Sequence, residues 1–204
     1  MRPAEFIFEF VARYEVRQLE RIDRQFSLNV LAFPDAVPVD RQTELAEGPI
    51  LAVTPASGEP WIGVFHGGEY GVPPAAPSQV IGWPDEKSLC VVKGGAGCLV
   101  RTDDPAANSE IDAFPITDVL AIPDRGLVVF ADFTDLIAYD PDGVAWRSGR
   151  VALDDVKIIR AEGDTLDVAG FFGSVNRAEF TVDLRTGRPS GAPYEFDEKG
   201  GFRE

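Results

Sequence analysis

The chain has 204 residues, 45% of them apolar, which is enough to bury one substantial core or two small ones. Its 34 Asp and Glu against 19 Lys and Arg give a formal charge of −15, which repels phosphate backbones and anionic lipid surfaces, so neither nucleic acid nor a membrane is an expected partner. Two cysteines and a single histidine are too few for a disulfide framework or a histidine-rich metal site, and no cofactor is implied.

The N-terminal segment places Glu5 and Glu9 where a signal peptide would be apolar, so a cytoplasmic protein is expected. Phe6, Phe8, Phe10, Ala12, Tyr14 and Val16 alternate strictly, which predicts a strand over 5–17 with one buried face. A helical reading through Val11, Tyr14, Gln18, Leu19, Ile22 and Phe26 competes with it. Arg13, Arg17, Arg21 and Arg24 are interleaved with Glu15, Glu20 and Asp23, a solvated charged surface rather than a basic stripe. Residues 27–33 (SLNVLAF) predict another strand before Pro34-Asp35.

From residue 48 onward, 20 Gly and 16 Pro over the whole chain bracket short runs rich in Val, Ile, Leu and Phe, the mark of many short strands. SLCVV (88–92), GLVVF (126–130) and TLDVA (165–169) each follow a turn-forming segment, and each turn follows an earlier strand-like run. Leu51, Leu89, Leu127 and Leu166 are separated by 38, 38 and 39 residues. A third strand then ends near an aspartate at Asp103, Asp140 and Asp183. The expected fold is therefore all-β: a propeller-like array of about four antiparallel units of roughly 38 residues, with a β-sandwich as the alternative. One domain over 1–204 is the simplest organisation, with 1–47 as N-terminal strands or cap and 48–204 as the β units. The Pro-rich stretch 71–79 reads as a loop within it.

The hairpin LIAYDPDGVAWRSGR (136–150) resembles repeats of quinoprotein-like propellers on Ala138, Asp140, Gly143 and Trp146: a strand ending Ala-x-Asp, a glycine turn and a Trp-bearing strand. FTVDLRTGRPSG (180–191) is similar through Val182-Asp183 and Thr186-Gly187 but lacks the following tryptophan. Longer stretches, SLCVVKGGAGCLVRTDDP among them, look like a group of bacterial proteins to which no activity attaches. The resemblance implies a blade-like element, not a quinone cofactor, because that chemistry belongs to a much larger ring.

Several stretches invite sharper readings. Asp140-Pro141-Asp142-Gly143 lacks the third oxygen ligand and distal glutamate of a calcium loop, and suits a type I turn with a following bulge. KGGAG (93–97) lacks the Gly-Lys-Ser/Thr ending and the helix of a phosphate loop, so it reads as a hairpin connection centred on Gly95-Ala96; with that centre Cys90 and Cys98 do not face each other. HGG (66–68) has no Gly-x-Ser-x-Gly elbow to accompany it as an oxyanion loop. Asp103-Asp104 and Asp154-Asp155 are adjacent strand residues that point to opposite faces, a poor arrangement for glycoside hydrolysis. Trp61, Trp83 and Trp146 read first as packing residues.

These observations favour a non-enzymatic binding or protein-interaction scaffold for an unidentified protein or small ligand, with a small sugar or ester hydrolase as the alternative. An acidic partner of a basic protein is a third possibility. The expected binding region is that of Trp61, His66 and Tyr70, where Gly- and Pro-rich loops depart from the other units.

Overall fold

The computed structural model describes residues 3–22, 29–38, 48–67, 78–173 and 176–196. The protein is all-β, its described residues form no α-helix, and none of them provides a helix long and apolar enough to cross a membrane. Two compact units divide the chain, Met1–Ile111 and Asp112–Glu204.

The first unit contains β1 (Glu5–Ile7), β2 (Tyr14–Leu19), β3 (Asn29–Phe33), β4 (Val37–Pro38), β5 (Ile50–Pro55), β6 (Trp61–Phe65), β7 (Gln79–Gly82), β8 (Ser88–Lys93), β9 (Ala96–Arg101) and β10 (Asn108–Glu110). They form two five-stranded sheets, ordered β2-β5-β6-β3-β4 and β1-β7-β8-β9-β10. Most neighbours are antiparallel, but β3 lies parallel to β6 and β1 parallel to β7. Phe33, Leu51, Val53, Trp61 and Phe65 of one sheet share a core with Val80, Leu89, Val91, Cys98 and Val100 of the other, a sandwich-like pairing. Ile50, Ala52 and Ile62 turn the other way into a second small cluster. Strands β5 and β6 are thus covered on both faces, which is why they read as continuous apolar runs instead of alternating ones.

The single strand expected over 5–17 is two strands. β1 pairs with β7 in one sheet and β2 with β5 in the other, and a continuous strand cannot ladder in both. The chain crosses between them over residues 8–13, where the Arg13 amide donates to the Glu86 carbonyl at 2.8 Å. Strand β2 is held by the Tyr14 hydroxyl, which donates to the Ser88 carbonyl of the facing sheet at 2.9 Å.

The β8–β9 turn also differs from expectation. Lys93 pairs with Ala96, and Gly94 and Gly95 adopt φ of +56° and +79°, so the turn is a two-residue type I′ centred one position earlier. That register sets Cys98 opposite Val91 and Cys90 opposite Leu99, so the thiols project from opposite faces. Both are free and buried, and burial pushes both thiols up, Cys98 to about 12.

The second unit contains β11 (Asp118–Ile122), β12 (Leu127–Ala131), β13 (Asp135–Asp140), β14 (Gly143–Arg150), β15 (Asp154–Glu162), β16 (Thr165–Phe171), β17 (Arg177–Asp183) and β18 (Pro189–Ser190). Two antiparallel four-stranded meanders result, β11-β12-β13-β14 and β15-β16-β17-β18. Val129, Leu136, Ala138 and Trp146 of the first meet Val156, Leu166, Val168, Phe180 and Val182 of the second. Polar links run between the same sheets: Ile158 N–H to Asp118 Oδ2 at 3.0 Å, Lys157 Nζ to the Thr117 carbonyl at 3.1 Å, and Arg125 to Asp164 at 2.5 Å.

The four leucines at the 38- to 39-residue spacing fall on β5, β8, β12 and β16, one in each sheet, and all are buried. Of the aspartates of the pattern, Asp103 pairs with the Arg101 guanidinium, whereas Asp140 and Asp183 serve backbone turns. Asp140 Oδ1 accepts from the amides of Asp142 at 2.8 Å and Gly143 at 3.0 Å, and Asp85, Asp132 and Asp183 repeat this at their own corners. A bulge follows, Ala138 pairing with Trp146 while Tyr139 pairs with Val144.

Candidate functional site

Of the expected binding residues, Trp61 and His66 stand at opposite ends of β6. Trp61 opens β6 and is 2% exposed; its Nε1 donates to the Thr102 carbonyl at 2.8 Å and its ring packs 5.6 Å from that of Phe33. No ring face is left for a ligand. His66 follows the far end of the same five-residue strand, roughly 16 Å along it, half-buried, its amide donating to the Phe33 carbonyl at 3.2 Å. Tyr70 lies outside the described residues, as does most of the Pro-rich stretch 71–79. Trp83 and Trp146 are buried as well, at 2% and 7% exposure, in keeping with the packing reading.

A cleft of about 470 Å³ lies instead in the second unit, among the end of β14, the edge strand β18 and the residues after it. This is within the roughly 300–1,000 Å³ typical of small-molecule sites. Its shape begins with two local devices. At the end of β14, Gly149 takes φ of +63°, and the chain turns from Arg150 into Val151 and Ala152, both buried. On the opposite wall, Asp183 caps the turn after β17, and its amide donates to the Arg188 carbonyl at 3.0 Å, which sets Arg188 just before β18. Hydrogen bonding to Thr186 holds the exposed Asp183 carboxyl below its usual range, so the cap is ionised at neutral pH.

Two guanidinium groups line this cleft. Arg150 is fixed from behind: Nε donates to the Ala152 carbonyl at 3.1 Å and Nη2 to the Leu153 carbonyl at 3.2 Å, with its carbon 5.5 Å from the Phe196 ring centroid. Arg188 is exposed, and among the described residues its guanidinium has no ion-pair partner. Ala192, Tyr194 and Phe196 form an apolar wall rooted in the core, Tyr194 lying 6.3 Å from the Phe172 ring. Ser148, Ser190 and Glu195 complete the polar lining. The Ser148 hydroxyl is committed, donating to the Gly149 carbonyl at 2.6 Å and accepting from the Leu136 amide at 2.9 Å. In a chain of charge −15, two guanidiniums and one carboxylate thus share this lining with a flat apolar side.

Carboxylates gather elsewhere in the same unit, around a hollow of only about 110 Å³ lined by Asp112, Asp132, Asp135 and Arg147. Asp112 is paired with Arg147, and Asp132 caps the amides of Thr134 and Asp135, both at 2.7 Å. Asp135 Oδ1 is buried with no hydrogen-bond partner among the described residues; burial, with Asp132 adding repulsion, pushes this carboxyl above its usual value. Among the described residues no set of three or more His, Cys, Asp or Glu side chains is arranged to hold a metal ion.

No family model and no curated protein matches this chain. The cleft escaped sequence reading because its two walls come from residues 148–151 and 188–196, joined only by the packing of two sheets. One difference was visible in the sequence: the segment at 180–191 lacks the tryptophan that the similar segment at 136–150 carries.

Proposed function

We propose that the protein is a non-enzymatic binding module that takes its ligand or partner in the Arg150–Arg188 cleft. The lining of that cleft carries the reading: two guanidiniums, hydroxyls and aromatic rings converge there with one carboxylate, Glu195, and no histidine. A glycosidase needs two acids flanking one bond, and a serine hydrolase needs a nucleophile beside a base. Neither couple lines the cleft. The acids that do lie close together surround a hollow well below the size of a small-molecule site, and two of them are already engaged as a cap and an ion pair.

The test is a titration of the isotopically labelled full chain with ring-bearing fragments, followed by amide NMR. Saturable shifts confined to Ser148–Ala152 and Arg188–Phe196, with the fragment recovered unchanged, are the expected result. Turnover of a chromogenic ester or glycoside that disappears on substitution of a cleft residue would overturn the reading in favour of a hydrolase.

A further inference from the structure

Resting on that reading, we propose that the cleft is a site for a small organic anion, a carboxylate or phosphate monoester carried on a planar apolar body. Three features of the lining converge on this chemistry. Arg150 is held by two backbone carbonyls behind it, so its remaining N–H groups are presented in a fixed orientation at little further entropic cost. Arg188, which also lines the cleft, has no ion-pair partner among the described residues of a chain where acidic residues outnumber basic ones 34 to 19, and it is the group an incoming anion would neutralise. Tyr194 and Phe196 supply flat apolar area on the same wall, anchored to the core so that binding does not have to order them.

The cavity also selects by size. About 470 Å³ admits one ring and its acidic substituent, whereas a nucleic-acid strand would bring its phosphates against the acidic remainder of the chain. Carboxylate and phosphate share the same bidentate geometry toward a guanidinium, so both belong to the proposed class.

Phenyl phosphate, benzoate, benzyl alcohol and benzylamine distinguish the features of the site when titrated against the full chain by NMR and calorimetry. One or both anions should bind in the cleft with an affinity that falls as salt rises, while the alcohol and the amine bind at least about tenfold more weakly. Which anion binds tighter identifies the acid. R188Q, at an exposed position, should weaken anion binding by about tenfold without changing the melting temperature, and R188K should restore part of the loss. The anion inference is overturned if the alcohol binds as well as phenyl phosphate, or if R188Q leaves anion affinity unchanged; saturable cleft shifts would then still uphold the binding-module reading. Absence of cleft shifts with all four probes would overturn the inference, whereas ester or glycoside turnover alone would strike the reading beneath it.

Discussion

In the first unit, N-terminal strands enlarge both sheets, β1 laid parallel on β7 and β3 parallel on β6. Among its described residues the second unit has no such additions, and its meanders end in the eight-residue strand β14 and the two-residue strand β18. Each unit nevertheless carries one tryptophan used in the same way. Trp61 Nε1 donates to the Thr102 carbonyl and Trp146 Nε1 to the Leu184 carbonyl, each acceptor lying just past the third strand of the opposing meander. Each ring also rests on a glycine: an added Cβ at Gly63 would lie 2.8 Å from Trp61, and one at Gly187 would lie 2.5 Å from Trp146. The shared device joins sheet to sheet, and the difference lies at the edges. Where β14 and β18 form the sheet edges among the described residues, the two sheets leave the space that Arg150 and Arg188 line.

Removing the rings tests the shared part of this comparison and has the largest expected effect. W61A and W146A should each cost about 3–5 kcal/mol in urea unfolding followed by circular dichroism, through cavity formation and a stranded carbonyl. A cost below about 1 kcal/mol for W146A alone would show that an edge-strand tryptophan is not equivalent to one between β5 and β3.

Filling the glycine seats sharpens the same point with smaller losses. G187A meets both the Trp146 ring and a φ of +70°, so roughly 2–3 kcal/mol is expected. G63A meets the Phe65 ring at 2.6 Å and the Trp61 ring at 2.8 Å, overpacking worth roughly 1–3 kcal/mol. Thermal melts of the two variants rank them, and a neutral G187A would mean that Trp146 can move off its seat.

The smallest expected change is a gain, at the hollow beside the cleft. Because burial raises the Asp135 carboxyl, the folded chain holds that proton more tightly than the unfolded chain does. Its contribution favours folding below the ordinary carboxylate value and is lost as pH rises through the folded value. D135N should therefore stabilise the chain by roughly 0.5–1 kcal/mol near neutrality, an advantage that fades toward about pH 3. Unfolding curves at both pH values check it, and equal gains at both would remove the ionisation account.

Local chemistry was sufficient for much of this architecture. Gly, Pro and Asp corners around β-branched runs specify short strands, because turn geometry depends on residues adjacent in sequence; Asp140–Gly143 closes as such a corner and Trp146 packs as read. The leucine spacing likewise marks one strand per sheet, since each needs a buried apolar position. Tertiary structure alone decided the rest. Whether residues 5–17 form one strand or two depends on partners at 50–55 and 79–82, and whether Trp61 meets solvent depends on Thr102 and Phe33. The cleft follows the same logic: Arg150 and Arg188 are unremarkable in sequence, and line one cleft only because two sheets pack over one core and bring their ends together. Side-chain environment is set by long-range packing, which no local pattern encodes.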